Sequence, residues 1–540
     1  MHTNYPYGEI LHFTRITDVF WLFFSAPLFL FMPVKEAVFY GGCVYQTGVL
    51  ILSAMALIWA LKPVVPAFVR LIGLCIFFVQ PSVTETYILI KPDHHVLTAL
   101  FGCLTAGGLI HYLAKQQLKY VVVAGIAAGL GLWVSVEGLL IAYTLLAGLA
   151  ALCLLNKEKI KSCAVYFFSF FVTSFLCLIV NPPYEGFFYP DNGRLSFLLV
   201  TVIGMTTTAL LLLFWAEEKN QLRTFWRKSA GFAVTAAFFI GLLFLIFPPS
   251  VVFQPFFPPI IKEIWAKNVI ELQPCFRNLT VFFLGGWPSL LSLLIVLIIF
   301  KFCTPIQRSF LILTVIPLIV FTGFSFASVR YSRLATLFIP FPLTIMFSLR
   351  KNSAFISERQ KGIALFILFI SALVYLCANY ISVNKALSQK SRPSLDIIKP
   401  YVPEGEGSIL ADTFLGPEII WTLDEPVIGT PYHRNIEGIA DGVGMLHSRN
   451  ISDAVAVLKK HRVKAILLHL DVPAYPEIFY NTPLRSAFLY MPAEMDSLFA
   501  RMVREKDLPC GIEPEINVAP PFIMYTVDFS KCSGKKDLPE

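Results

Sequence analysis

In 540 residues, 56% of them hydrophobic and only 14% charged, the chain carries more apolar surface than a soluble core can hide, since about half apolar is already the usual share of a soluble domain. Lipid is therefore the solvent for most of it. The net charge of +8 does not point to nucleic acid, because the basic residues are dispersed among short loops and form no single patch.

The start, "MHTNYPYGEILHFTR", has neither a basic n-region nor an apolar h-region, so no cleavable secretion signal is expected and insertion relies on a transmembrane segment. Residues 19–34, "VFWLFFSAPLFLFMPV", are apolar but short and carry Pro27 and Pro33. Proline breaks a helix interior, so a re-entrant or interfacial helix is expected there, with residues 1–36 outside the membrane. Apolar stretches near helix-spanning length then recur. Each fits a hydrocarbon core of about 30 Å, and together they predict roughly twelve crossings, near residues 37–61, 63–81, 96–114, 120–136, 138–155, 162–181, 195–215, 229–252, 278–300, 309–328, 334–349 and 362–380. No internal repeat is visible.

Lys62, Lys115 with Lys119, Lys157 with Lys159 and Lys161, Arg223 with Arg227 and Lys228, Lys301 with Arg308, and Arg350 with Lys351, Arg359 and Lys361 fall in alternate loops. The positive-inside rule makes those six loops cytoplasmic and puts the intervening loops, and everything after residue 380, outside. The predicted fold class is thus a mainly α polytopic membrane protein with an external C-terminal α/β domain. Its parts are a loop remnant over 1–36, a transmembrane domain over 37–380 and the external domain over 381–540.

In that last part, "AILLHLD" (465–471) reads as a buried strand after an amphipathic helix in "SDAVAVLKKHRV", with Ser452 as N-cap. "GSILADT", "PVIGT" and "FIMYTVD" read as further strands. Most of the 11 cysteines sit in apolar runs, where they pack as small hydrophobes. Cys510 and Cys532 are the exceptions, and an oxidising compartment would let them pair.

The ionisable residues on the external side are the candidates for chemistry. "DHH", Asp93, His94 and His95, ends the second external loop, and carboxylate plus imidazole is a ligand set suited to Mn²⁺ or Zn²⁺, or to Mg²⁺ through the carboxylate. A capped, solvated helix start would use the same residues. Glu271, in "NVIELQP", sits in the proline-rich loop 249–278. Arg330 and Arg333 flank "YS" in a very short loop, where they either snorkel to headgroups or grip a phosphate with paired hydrogen bonds. Glu137, Asp191 and Arg194 lie on the same side. Ionisable groups at membrane depth are functional when they converge on one cavity.

Taken together, the pattern resembles the membrane-embedded glycosyltransferases of the C-type fold, and among them the catalytic subunit of oligosaccharyltransferase and related bacterial proteins. "DHH" looks like the family's Asp-x-His or Asp-x-Glu metal motif, and "NVIELQP" looks like its Ser-Val-Ser-Glu or Thr-Ile-x-Glu motif. The resemblance implies Asp93 and His95 as metal ligands, with His94 a further candidate, and Glu271 holding the acceptor. It implies Arg330 or Arg333 at the lipid phosphate and a divalent cofactor, Mn or Mg.

The implied activity is sugar transfer from a polyprenyl-phosphate-linked donor to a glycan, lipid or protein acceptor on the outer face of a bacterial inner membrane, with membrane lipid and no nucleic acid as partner. "NYPYGEILHFTRITDVF" looks like the end of the family's first external loop, and the preceding crossing and aspartate are not in this sequence. A late start, a degenerate copy, or Glu9 or Asp18 as substitute would account for that. The family's Trp-Trp-Asp-x-Gly signature has no counterpart either. The comparable stretch is "ADTFLGPEIIWTLDEPVIGTPYHRN", whose His433 and Arg434 either face the cavity or sit in a strand-end turn on the surface. The rival readings are a transporter or lipid flippase, and an inactive homologue.

Overall fold

The computed structural model describes residues 3–8, 14–80, 82–83, 93–253, 259, 262, 269–277, 282, 286–349, 362–363, 366, 370, 394–413, 415–432, 434–448, 450–469, 498, 502, 508–515, 518 and 522–532. The chain divides into two compact units. One comprises His12–Phe256 and Glu271–Ala378; the other comprises Met1–Leu11, Phe257–Ile270 and Asn379–Glu540.

The first unit is helical. Its helices are α1 (Arg15–Ser25), α2 (Val34–Leu61), α3 (Ala67–Phe78), α4 (His95–Lys115), α5 (Leu118–Val134), α6 (Glu137–Leu154), α7 (Ile160–Val180), α8 (Phe197–Glu218), α9 (Phe225–Ile246), α10 (Trp287–Ile299), α11 (Pro305–Ala327), α12 (Ser332–Thr336) and α13 (Pro340–Ser348). Among the described residues, seven (α2, α4, α6, α7, α8, α9 and α11) are long and apolar enough to cross a membrane, and α3, α5 and α10 are shorter apolar helices. A polytopic, mainly helical membrane protein follows from these.

The expected run over 334–349 is not one helix. Pro340 and Pro342 remove backbone donors there, and the chain makes a 3₁₀ turn (Val329–Tyr331), then α12 and α13. The run over 63–81 begins its helix only after Pro66. Residues 19–34 fall on the end of α1, a 3₁₀ turn (Ala26–Leu30) and the start of α2. The predicted crossing over 362–380 lies almost wholly outside the described residues.

Lipid gives helices no hydrophobic reason to associate, so small residues and satisfied hydroxyls shape the bundle. α4 is its centre, with nearly its whole length buried, whereas α9 has no buried apolar window. Gly125 of α5 lies so close to α7 that a Cβ there would stand 2.6 Å from the Tyr166 carbonyl oxygen. Thr105, Thr144 and Thr314 return their hydroxyls to carbonyls one turn back, at 2.7–3.0 Å, as polar side chains in apolar surroundings must. Two-residue turns join α4 to α5 and α5 to α6. The three helices therefore alternate in direction. His95, Val134 and Glu137 share one end of the bundle, and Lys115 and Lys119 share the other.

The second unit is an α/β domain. It contains β1 (Ser408–Ala411), α14 (Gly416–Leu423), α15 (Ile436–His447), α16 (Ile451–Lys460), β2 (Val463–His469), β3 (Ile512–Glu515) and β4 (Phe522–Val527). The sheet order is β1-β2-β4-β3; β1 runs parallel to β2, and the other pairs are antiparallel. β1 and the Ala465–Leu468 stretch of the central β2 are buried, as strands covered on both faces must be. "PVIGT" forms only an isolated bridge, Val427 with Ile409. The N-cap of α16 is Asn450, not Ser452: the Asn450 side chain accepts the Ser452 amide. Cys510 and Cys532 are disulfide-bonded, with Cα atoms 5.8 Å apart.

Residues 3–8 belong to this domain. The Asn4 and Tyr5 amides donate to Ile428 and Val427 carbonyls at 3.1 and 3.3 Å. The fully buried His461 reaches the Tyr5 carbonyl through Nδ1 and Asp441 through Nε2, both at 2.8 Å.

Candidate functional site

At the end of the first unit that holds His95 and Glu137, residues from four separated stretches meet. Asp93 stands two residues before α4, and its Oδ1 accepts the His95 amide at 3.3 Å, stabilising the start of α4 as an acidic group at a helix N-terminus does. The same oxygen accepts from His94 Nδ1 at 2.9 Å, and Asp93 Oδ2 lies 4.0 Å from His95 Nε2. The two imidazoles are 4.2 Å apart, ring to ring. One ligand atom from each of Asp93, His94 and His95 falls within 4.8 Å of the others.

Glu137 enters from α6. The Ser135 hydroxyl accepts the Glu137 amide at 3.3 Å and turns the chain. Gly138 lets α6 touch α5, since a Cβ there would stand 2.3 Å from the Gly131 carbonyl carbon. The Glu137 side chain is only 5% exposed. Its Oε2 pairs with His95 Nδ1 at 3.1 Å and its Oε1 with Arg330 Nε at 2.5 Å.

Arg330 and Arg333 stand where α11 stops. Ser328 turns extended after Ala327, and its hydroxyl donates to the Glu271 carbonyl at 2.9 Å while the Val329 amide donates to the Gln273 carbonyl at 2.8 Å. These bonds fix the 271–273 stretch against the arginine turn. Arg333 then pairs with Glu271 at 2.9 Å.

The charges sustain one another. Burial opposes ionisation of Asp93, but His95, the His94 hydrogen bond and the more distant Arg333 outweigh it and hold the carboxyl well below its ordinary value. For His94, burial and the adjacent His95 lower the imidazole pKa against the pull of Asp93 and Glu137. Burial works against the Arg330 charge as well, and the Glu137 and Glu271 carboxylates more than offset it.

Two cavities, each about 20 Å³, flank the cluster. One is lined by His95, Thr98, Ser82 and Arg333 among apolar residues; the other by His94, Arg330, Arg194, Gly193, Ser135 and Thr14. A water or one small ion needs roughly 10–15 Å³ by this measure, so each admits one.

Asp93, His94, His95, Arg330, Arg333 and Glu271 thus come together through direct contacts and through shared electrostatic fields. Arg194 borders the second cavity, while Asp191 caps the Gly193 amide at 2.7 Å. Arg434 stands, half-buried, in the turn before α15 of the other unit. Glu9 and His433 lie outside the described residues. Asp18 is exposed on α1, 3.9 Å from Arg15. Glu137 is the residue that sequence reasoning left without a role. The available signal was a carboxylate at the first position of an apolar helix on the same side as "DHH".

No family model matches the chain, and no curated protein is similar to it in sequence. Solved structures are similar in fold. The oligosaccharyltransferase of Archaeoglobus fulgidus in its apo form superposes with a TM-score of 0.64 at 16% identity, over 87% of this chain and 63% of that one.

The fold is that of an archaeal oligosaccharyltransferase.

The archaeal oligosaccharyltransferase AglB from Archaeoglobus fulgidus, in complex with an inhibitory peptide and a dolichol-phosphate, gives a TM-score of 0.63 at 16% identity, with the same coverages. Its form tethered to an acceptor peptide containing the NVT sequon gives 0.65 at 16%, over 97% of this chain and 67% of that one. The chain therefore spans just under two thirds of the length of the first two oligosaccharyltransferase structures. The C-type membrane glycosyltransferase fold expected from "DHH" and "NVIELQP" is the fold observed.

Proposed function

We propose that the chain is a membrane glycosyltransferase that moves a sugar from a polyprenyl-phosphate-linked donor to a glycan, lipid or protein acceptor on the outer face of the membrane. One observation carries this reading. On an oligosaccharyltransferase fold, an acid–imidazole cluster and two arginines meet at the bundle end opposite Lys115 and Lys119. By the positive-inside rule, that end is outside. One neighbouring oligosaccharyltransferase structure holds a dolichol-phosphate, and another is a complex with zinc and sulfate, which fits a lipid phosphate and a divalent cation at such a place. The remaining expected crossings, including 362–380, complete the bundle in this reading, with the α/β domain external.

The chemistry is displacement at an anomeric carbon with a phosphate-linked lipid leaving. Arg330 and Arg333 would hold phosphate oxygens. A guanidinium has five N–H donors, so pairing with Glu137 or Glu271 does not exhaust either. Held in place by those carboxylates, the arginines meet growing negative charge without reorganising, which is where electrostatic stabilisation is largest. Glu271, on the turn tied to Ser328, would orient the acceptor.

Asp93, His95 and His94 suit a divalent ion such as Mn²⁺. Nδ1 of each histidine faces a carboxylate, and a proton held there would leave Nε2 as a lone-pair donor. When bound, the ion would supply Lewis-acid neutralisation of the leaving oxygen. The test is sugar transfer by full-length protein in proteoliposomes. Asp93→Ala and His95→Ala should abolish transfer while inserting and folding normally. Transfer at the wild-type rate in either variant would defeat the assignment.

A further inference from the structure

We infer that Glu137 is a positioning residue that sets the tautomer and ring orientation of His95 and, through its other oxygen, locks Arg330 to the same frame. The inference rests on the proposed function for what His95 binds, and the contacts themselves stand without it.

Three observations carry it. Glu137 uses its two carboxylate oxygens on two different functional side chains, His95 Nδ1 at 3.1 Å and Arg330 Nε at 2.5 Å. It is more deeply buried than either partner, at 5% exposure against 9% and 22%. Its backbone is fixed by the Ser135 hydroxyl and by the Gly131–Gly138 approach. A merely solvated carboxylate at a helix start would need none of these.

An ionised carboxylate accepts and cannot donate, so His95 must present Nδ1–H to it. That forces the Nε2 lone pair onto the Asp93 side, where Nε2 lies 4.0 Å from Oδ2. A carboxylate behind a ligating imidazole also fixes its ring orientation, and losing such a partner typically costs 10–100-fold in metal affinity. Because the same carboxylate holds Arg330, the imidazole and the guanidinium share one anchor. An error in the placement of α6 would therefore be felt by both.

The experiment is isothermal titration of detergent-solubilised full-length protein with Mn²⁺ alone, beside its metal-free unfolding midpoint. Glu137→Gln keeps the shape and an acceptor oxygen but removes the charge. It should bind Mn²⁺ about 10–100-fold more weakly, with the metal-free midpoint lowered no further than in Arg330→Gln. The double variant E137Q/R330Q restores charge balance and carries the test should E137Q fail to accumulate. It should stay as weak as E137Q. Wild-type Mn²⁺ affinity in E137Q would overturn the inference. So would recovery in the double variant, because Glu137 would then only neutralise Arg330. Asp93→Asn and His95→Ala separate the two levels of reasoning: if both bind Mn²⁺ like wild type, the metal site of the proposed function fails and the inference with it. If both lose binding while E137Q keeps it, only the inference fails.

Discussion

Gly138→Ala is the smallest change that should disturb the site without touching any charged group in it. The added methyl carbon would stand 2.3 Å from the Gly131 carbonyl carbon and 2.5 Å from both the Gly131 oxygen and the Leu132 nitrogen. All three are backbone atoms, so no side-chain rotation relieves the clash. α5 and α6 must part by about 1 Å to reach ordinary contact, and such overpacking costs about 1–3 kcal/mol. Glu137 is the neighbouring residue, so a comparable shift stretches its pairs with Arg330 and His95 to or beyond the hydrogen-bond limit. A misplacement on the order of 1 Å can cost about 100-fold in rate. The assay is equilibrium unfolding of the full chain in detergent, paired with sugar transfer in proteoliposomes. Gly241→Ala in α9 is the control, since its Cβ would meet nothing within 4 Å. G138A should lose stability and about two orders of magnitude in transfer, whereas G241A should behave as wild type. If G138A matched G241A in both, the tight α5–α6 turn would not be what places Glu137.

The α15–α16 contact should be acid-sensitive. Burial pushes the Asp441 carboxyl up, but Lys460 and His461 outweigh it and hold the group below its ordinary 3.8. A carboxylate depressed in the folded state contributes stability above its unfolded pKa and loses it as pH falls through the folded value. Amide protection of residues 436–447 should therefore hold down to about pH 4 and decline below it, and intrinsic-rate-corrected protection that is constant to about pH 3 would contradict this. The disulfide closes a span of 22 residues in sequence, and that loop size corresponds to about 3 kcal/mol. Cys510→Ser/Cys532→Ser should make β3 and β4 exchange and proteolyse faster, and unchanged protection would show that the sheet stands without the bond.

Local signals were readable from the chain; long-range partnerships were not. Among the described residues, seven of the apolar runs became helices of spanning length, because a backbone in lipid must satisfy its own hydrogen bonds. Of the basic residues in alternate loops, Lys115 and Lys119 fell at the bundle end opposite the cluster. The 334–349 run shows the limit of composition, because hydropathy counts Pro340 and Pro342 as apolar while their missing amide donors keep one helix from running through. "DHH" was visible as a ligand set since its three residues are adjacent. Glu137 lies 42 residues from His95 and 193 from Arg330. No periodicity encodes either distance, and only the two-residue turns α4–α5 and α5–α6 bring Glu137 alongside His95. Arg330 and Arg333 were candidates for phosphate binding from their place in a short external loop and from the family resemblance. Their carboxylate partners depend on the turn that Ser328 and Gln273 build. Asn450 displaced Ser452 as the α16 cap because two good capping side chains stood two residues apart.

The claim that the cluster receives both a cation and a lipid phosphate is most directly tested by a structure of the full chain in a lipid nanodisc with Mn²⁺ and a polyprenyl phosphate, read by anomalous scattering or cryo-EM density. The account predicts the ion in ligand contact with Asp93 and His95, and the phosphate against Arg330 or Arg333. An ion bound elsewhere, or a phosphate seated at the lysine-bearing end of the bundle, would contradict it.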